Sequence, residues 1–167
     1  RPATVCGYAP KQRLDLSVNI LTNFAFNKSF IKVFGGEQLR PNLHILDYCE
    51  AIELFLCAEK QDINKEIFNV GYQNLSIYEI ACSVKKVVEK VLKNNKSIKI
   101  IKTESDDKRS YHINSDKIKN KLNYQPKRTI EIAAEDLCVA FNKGLLPNSF
   151  DDDFYFNVKR LKRINAR

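Results

Sequence analysis

The first seven residues constrain the fold most. Arg1-Pro-Ala-Thr-Val-Cys6-Gly7 ends in a β-branched, apolar triplet that breaks at Gly7 and again at Pro10. Such a run is expected of a strand covered on both faces, and strands of that kind belong to parallel sheets. No methionine precedes it, so the sequence reads as one that opens inside a fold whose first half would lie before Arg1. Further short apolar runs at 31–34, 67–70 and 98–101 alternate with stretches of helical period. That βα rhythm is the mark of a parallel sheet, and these runs are expected to supply neighbours for the opening strand.

The intervening segments read as helices. Leu14, Leu16, Val18, Ile20, Leu21, Phe24 and Ala25 recur at helical spacing, predicting about four turns ending near Asn27, with Asp15 and Ser17 at the start. The run at 31–34 stops at Gly35-Gly36, where the backbone is free to approach a ligand, and residues 37–42 read as an irregular loop. Asp47-Tyr48-Cys49-Glu50 has the spacing of a capping box opening a helix over 48–59, and Ser76-Ile77-Tyr78-Glu79 repeats that pattern before Ile80, Val84, Val87, Val88, Val91 and Leu92. Residues 103–110 form a polar loop that delivers Arg109 and Tyr111 ahead of a short helix from Ser115. Thr129 caps a last helix running to Phe141 and stopped by Gly144. The tail, 145–167, shows no core pattern and reads as a lid or frayed end. No internal repeat is visible.

Composition bounds the class. With 167 residues, 44% of them hydrophobic, the chain can bury a real core. No apolar run approaches the roughly 18 residues of a membrane span, and a cytoplasmic location is the expectation. The five cysteines, Cys6, Cys49, Cys57, Cys82 and Cys138, include no C-x-x-C pair, so neither a disulfide framework nor a zinc site is expected. The last four fall in predicted helices, as small apolar fillers. Net charge is +8, nearly all of it from residues 61–167. Those lysines alternate with apolar residues at helical spacing and lack interleaved aromatics, which favours a solvated face over a nucleic-acid footprint.

Reactive equipment is sparse. His44 and His112 lie far apart in sequence, no nucleophile elbow occurs, and neither Asp106-Asp107 nor 151–153 has calcium-loop spacing. Arginines in loops that follow strands are more suggestive. Arg40 lies between a glycine turn and a helix start, and Arg109 follows the strand at 98–101; a guanidinium fork suits two phosphate oxygens. The competing reading for Arg109 is an ion pair with Asp107.

The ordered set of Arg1-Pro2-Ala3-Thr4-Val5-Cys6-Gly7-Tyr8-Ala9-Pro10, Arg13-Leu-Asp15-Leu, Ile31-Lys-Val-Phe-Gly35-Gly36, Arg40-Pro-Asn-Leu-His44-Ile-Leu-Asp47, Phe68-Asn-Val-Gly71 and Asp107-Lys-Arg109-Ser-Tyr111 resembles the C-terminal half of an extended short-chain dehydrogenase/reductase of the NAD-dependent nucleotide-sugar epimerase/dehydratase family. The likeness covers 1–144. It implies an α/β fold, the end of a Rossmann-type sheet with a small substrate-binding domain, the cofactor half missing.

What the resemblance implies for residues is specific. Ala3 would lie near the nicotinamide of NAD or NADP in the complete enzyme, and Thr4 near the sugar. Asp15 to Asn19 would close over the diphosphate, Lys32 and Phe34 would hold the base, and Arg40 and Arg109 would grip the diphosphate of a nucleoside-diphosphate sugar. The glycine-rich cofactor loop and the Tyr-x-x-x-Lys pair would precede Arg1, so this segment alone is expected to be inactive and to bind no cofactor. Its implied partners are the missing Rossmann half, in cis or in trans, and a second copy of the complete enzyme in a homodimer. The alternatives are a non-catalytic nucleotide-sugar-binding or partner subunit and, further off, a basic nucleic-acid-binding module.

Overall fold

The computed structural model describes residues 1–93, 97–105 and 109–166. Asp106 and Asp107, and with them any pairing of Arg109 with Asp107, lie outside the described residues.

Strand β1 (Thr4–Cys6) runs into a turn at Gly7 and is followed by helix α1 (Ser17–Lys28). Gly7 has φ +100°, and a Cβ there would stand 3.0 Å from the His44 Nε2, so both conformation and space call for glycine. Strands β2 (Phe30–Phe34) and β3 (Leu39–His44) follow, then helices α2 (Ile45–Cys57) and α3 (Lys60–Ile63), strand β4 (Gln73–Ser76) and helix α4 (Ile77–Leu92). Strand β5 (Lys99–Thr103), helices α5 (Asp116–Leu122) and α6 (Ile130–Asn142), and a short helix α7 (Asn157–Arg163) complete the order.

The strands form two sheets among the described residues rather than the one expected. One has the order β1-β3-β4, with β1 and β3 parallel and β3 and β4 antiparallel; the other is the parallel pair β2-β5. The runs at 31–34 and 98–101 therefore pair with each other and not with β1. The third run, 67–70, is no strand but touches the first sheet by a single bridge. Ala3 N–H donates to the Val70 carbonyl at 2.7 Å, and Val70 N–H to that of Arg1 at 3.0 Å.

The expected loop at 37–42 is largely β3. Pro41 reads as a breaker because it cannot donate to a ladder, yet it pairs here with Asn74 of β4, which carries no apolar signature of its own. Helix α2 also starts earlier than its sequence suggests. Its N-cap is His44, whose Nδ1 accepts the Leu46 N–H at 3.1 Å. Asp47 lies inside the first turn, fully buried, and accepts instead from Lys127 N–H (3.1 Å), Arg128 N–H (2.8 Å) and the Arg128 Nη1 (2.5 Å). The capping box at Ser76 forms as read: Ser76 Oγ accepts the Glu79 N–H, and the Glu79 carboxylate takes the Ser76 N–H at 2.8 Å.

Burial follows the two periods. Along β2, Ile31 and Val33 point inward and Lys32 and Phe34 outward. Ile31 and Val33 join Val18, Leu21 and Ala25 of α1, Ile80, Val84 and Val88 of α4, and Ala133, Ala134 and Cys138 of α6 in the main core. A second cluster gathers Ala3, Leu43, Ala51, Phe68, Val70, Ile118 and Tyr124 under the first sheet. A third joins Leu14, Leu137 and Ala140 to Leu146 and Tyr155. The first part of the tail is therefore docked and not frayed. Ser149 reinforces it, its hydroxyl donating to the Asn23 Oδ1 and its carbonyl accepting from the Asn23 Nδ2.

The filler reading of the cysteines holds for Cys138, which is buried, and fails for Cys49 and Cys57, which are exposed on α2. Much of the basic charge is matched: Lys117 and Lys121 both pair with Glu66, and Arg160 and Arg163 with Asp153. No helix among the described residues is long and apolar enough to cross a membrane.

Candidate functional site

A cleft of about 490 Å³ opens where the end of β2 and the start of β3 face the first half of α1. Asp15, Ser17, Ile20, Leu21 and Phe24 form one wall, Lys32 and Phe34 of β2 another, and Gln38, Arg40, Ile77 and Ser105 complete it. Because β2 alternates, its two outward side chains stand together, with the Lys32 Nζ 5.0 Å from the centre of the Phe34 ring. That ring is 53% exposed, a large aromatic surface available for stacking.

Arg40 is placed by both its strand and the loop after β5. Its Nη1 donates to its neighbour's carbonyl, that of Leu39, at 2.9 Å and to the Arg109 carbonyl at 2.5 Å, and its guanidinium carbon lies 5.5 Å from the centre of the Tyr111 ring. Leu39 N–H donates to the Ser110 Oγ at 3.0 Å, which ties the same loop to β3. Arg40 and Arg109, 69 residues apart, are thus neighbours. The contact that joins them runs to the backbone of Arg109, however, and Arg109 is not among the residues that line the cleft.

An adjoining cleft of about 690 Å³ shares Gln38 and Ser105 with the first and is lined by Gly35, Glu37, Lys102, Thr103, Glu104 and Ser110 as well. Its carboxylates make it the poorer place for an anion, and its lysine is already paired, Lys102 Nζ with Glu37 at 2.9 Å. Among its described residues the smaller cleft is lined by two cations, Lys32 and Arg40, and one carboxylate, Asp15.

Of the residues singled out from the sequence, Asp15, Lys32, Phe34 and Arg40 share this cleft. Asn19 does not. It is buried, and both ends of its amide are committed, Oδ1 to the Gly7 N–H at 3.1 Å and Nδ2 to the Arg13 carbonyl at 2.8 Å. It holds the turn after β1 rather than a ligand. Thr4 and Ala3 lie in or beside β1, and neither lines the cleft; Ala3 is buried, with its N–H spent on Val70. The sequence reading missed Ile20, Leu21 and Phe24 as a wall. Their signal was the helical spacing itself, which also marks residues that simply face a core.

No protein-family model matches the sequence. Solved structures do resemble it. UDP-glucose 4-epimerase from Thermotoga maritima, solved with UDP-glucose, matches over 87% of this chain and 45% of its own, with TM-score 0.64 and 23% identity. UDP-glucuronic acid 4-epimerase from Bacillus cereus, in complex with UDP-glucuronic acid and NAD, matches over 86% and 44%, with TM-score 0.68 and 22% identity. RMD from Pseudomonas aeruginosa, complexed with NADPH, matches over 86% and 48%, with TM-score 0.70 and 13% identity. The fold is that of the C-terminal part of an extended short-chain dehydrogenase/reductase. The chain spans less than half the length of each of those chains.

The Ala3 N–H is spent on the Val70 carbonyl, and no glycine-rich phosphate loop occurs among the described residues. One Tyr-x-x-x-Lys spacing does occur, at Tyr155 and Lys159. It is not a catalytic pair. The Tyr155 ring is buried in the third cluster, burial and the nearby Asp152 push its phenol above the ordinary value, and the Lys159 Nζ stands 4.3 Å from the centre of the Phe156 ring. A catalytic tyrosine needs the opposite shift.

Proposed function

We propose that this chain is the substrate-binding part of an NAD(P)-dependent nucleotide-sugar epimerase or dehydratase, and that the cleft between α1, β2 and β3 takes the nucleoside diphosphate. The supporting observation is the convergence, in one cleft, of an exposed aromatic ring (Phe34) with the cations Lys32 and Arg40. A base can stack on Phe34 while the guanidinium of Arg40 donates to diphosphate oxygens. The neighbouring folds, solved with UDP-sugars and with NAD or NADPH, favour the same ligand class. Hydride transfer and its acid/base chemistry would belong to the companion Rossmann half, so this part binds without turning over.

Titration calorimetry with UDP-glucose, UDP, dTDP, GDP and ADP tests the reading. At least one is expected to bind, and Arg40→Ala to weaken that ligand by the roughly 1.5–3 kcal/mol typical of charge-assisted hydrogen bonds, about 10- to 150-fold. Unchanged affinity in Arg40→Ala, or no binding by the unaltered protein, would refute it.

A further inference from the structure

We propose that Arg13 sets the charge selectivity of the Arg40 cleft by neutralising Asp15, the one carboxylate among the described residues that line it. This rests on the cleft being a nucleoside-diphosphate site and adds a residue outside its lining. Asp15 faces the same space as Lys32 and Arg40, where a bare carboxylate would oppose any polyanion. It is not bare. Arg13 Nε donates to the Asp15 Oδ1 at 2.9 Å and Nη2 to Oδ2 at 3.1 Å, a bidentate fork with one donor on each oxygen. The fork leaves the cleft wall neutral at that point.

The fork is fixed from behind. The Arg13 carbonyl accepts from the Asn19 Nδ2 at 2.8 Å and the Gln12 Nε2 at 3.0 Å, and both amides are buried. Their oxygens are tied in turn, Asn19 Oδ1 to the Gly7 N–H and Gln12 Oε1 to the Ala9 N–H at 3.0 Å. The guanidinium therefore starts from a backbone clamped to the end of β1, and its pairing with Asp15 needs no ligand to form it. Arg13 is a positioning residue: it acts on the ligand through Asp15.

The test is calorimetric titration of the protein with UDP, UMP and uridine, a series that loses phosphoryl groups, and negative charge with them, one at a time. Arg13→Gln is expected to weaken UDP about tenfold and UMP about threefold and to leave uridine unchanged, the pattern of a charge exposed at partly screened range. Adding Asp15→Asn to Arg13→Gln is expected to return UDP to within about threefold of the unaltered protein, since the unpaired charge is gone. Equal losses for uridine and UDP would mark Arg13 as merely structural and overturn the proposal, as would no loss in Arg13→Gln or no recovery in the double variant. Should Arg13→Gln fail to fold, Arg13→Lys carries the same charge series, with a smaller UDP loss expected and a loss shared with uridine counting against. If the unaltered protein binds no nucleoside diphosphate, the cleft reading falls and this proposal with it; binding with an indifferent Arg13 overturns this proposal alone.

Discussion

Replacing Asp47 with alanine should be among the most damaging single changes in this chain. The carboxylate is fully buried and accepts three hydrogen bonds, from the Lys127 and Arg128 amides and the Arg128 guanidinium. The Tyr124 hydroxyl donates to the Asp47 carbonyl as well, so the link from α5 to α6 is held to α2 from two sides. Hydrogen bonds to a charged group contribute roughly 1.5–3 kcal/mol each, but three of them do not simply add. Lys127 is exposed, so its freed amide can reach water, and Arg128 keeps Glu50 at 2.8 Å as a second partner. The net loss should therefore fall near the lower end of that for a broken buried pair, about 3–4 kcal/mol. Asp47→Asn keeps one acceptor and the volume, and should cost about half as much. Urea denaturation followed by circular dichroism measures both: a lower midpoint with unchanged slope is expected, and a melting temperature roughly 6–16 °C lower for Asp47→Ala. A loss under about 1 kcal/mol, or equal losses for the two variants, would refute the view that the charge at this position fastens α2 to the 126–129 segment.

Two further outcomes follow from ionisation. Lys117 and Lys121 hold the Glu66 carboxyl down at about 2, so the stabilisation it gives is full above the ordinary carboxylate value and lost as pH falls toward 2. Glu66→Gln should accordingly melt below the unaltered protein at pH 6, with the gap closing by pH 2; parallel curves across that range would contradict the pairing. Burial pushes the Cys6 and Cys138 thiols up to about 12, whereas Cys49 and Cys57 are exposed. An aromatic disulfide reagent at pH 8 is expected to label Cys49 and Cys57 rapidly in the native protein and Cys6 and Cys138 only after unfolding, which mass spectrometry of the labelled peptides would check.

Features set by neighbouring residues were the legible ones. The Ser76 capping box, the buried stripe of α4, the glycine stop at the end of β1 and the helix from Thr129 each depend on a few positions close in sequence, and the structure has them. Features set by distant partners were not. Asp47 has the spacing of a helix cap, and only the arrival of Arg128, 81 residues later, makes it a tertiary clamp. Pro41 announces a loop, and only β4 on its far side makes a strand of it. Leu146 and Tyr155 lack any period because each joins a cluster with Leu14, ahead of α1, and with Leu137 and Ala140 of α6, rather than forming a face of its own element. Within the site, the alternation of β2 makes Lys32 and Phe34 neighbours on one surface, while the amide of Asn19 looks like a ligand donor until its two internal partners are known.

The cleft draws on both sheets, and a single helix start holds them in register. Phe34 belongs to the β2-β5 pair and Arg40 to the three-stranded sheet, and only residues 35–38 connect them along the chain. That connection is pinned to the N-terminus of α4, where the Tyr78 N–H donates to the Gly36 carbonyl at 3.0 Å and the Ile77 N–H to the Gln38 carbonyl at 3.2 Å. Gly36 adopts φ +124°, a backbone conformation that side-chain-bearing residues rarely take, so the turn needs glycine. The first amides of α4 would otherwise lack partners. Satisfying them with the β2-β3 turn fixes the ring of Phe34 relative to the guanidinium of Arg40, and Ile77, from the same turn of helix, completes the wall between the two. A helix end that looks purely structural in the sequence thus sets the spacing between the aromatic and cationic halves of the cleft.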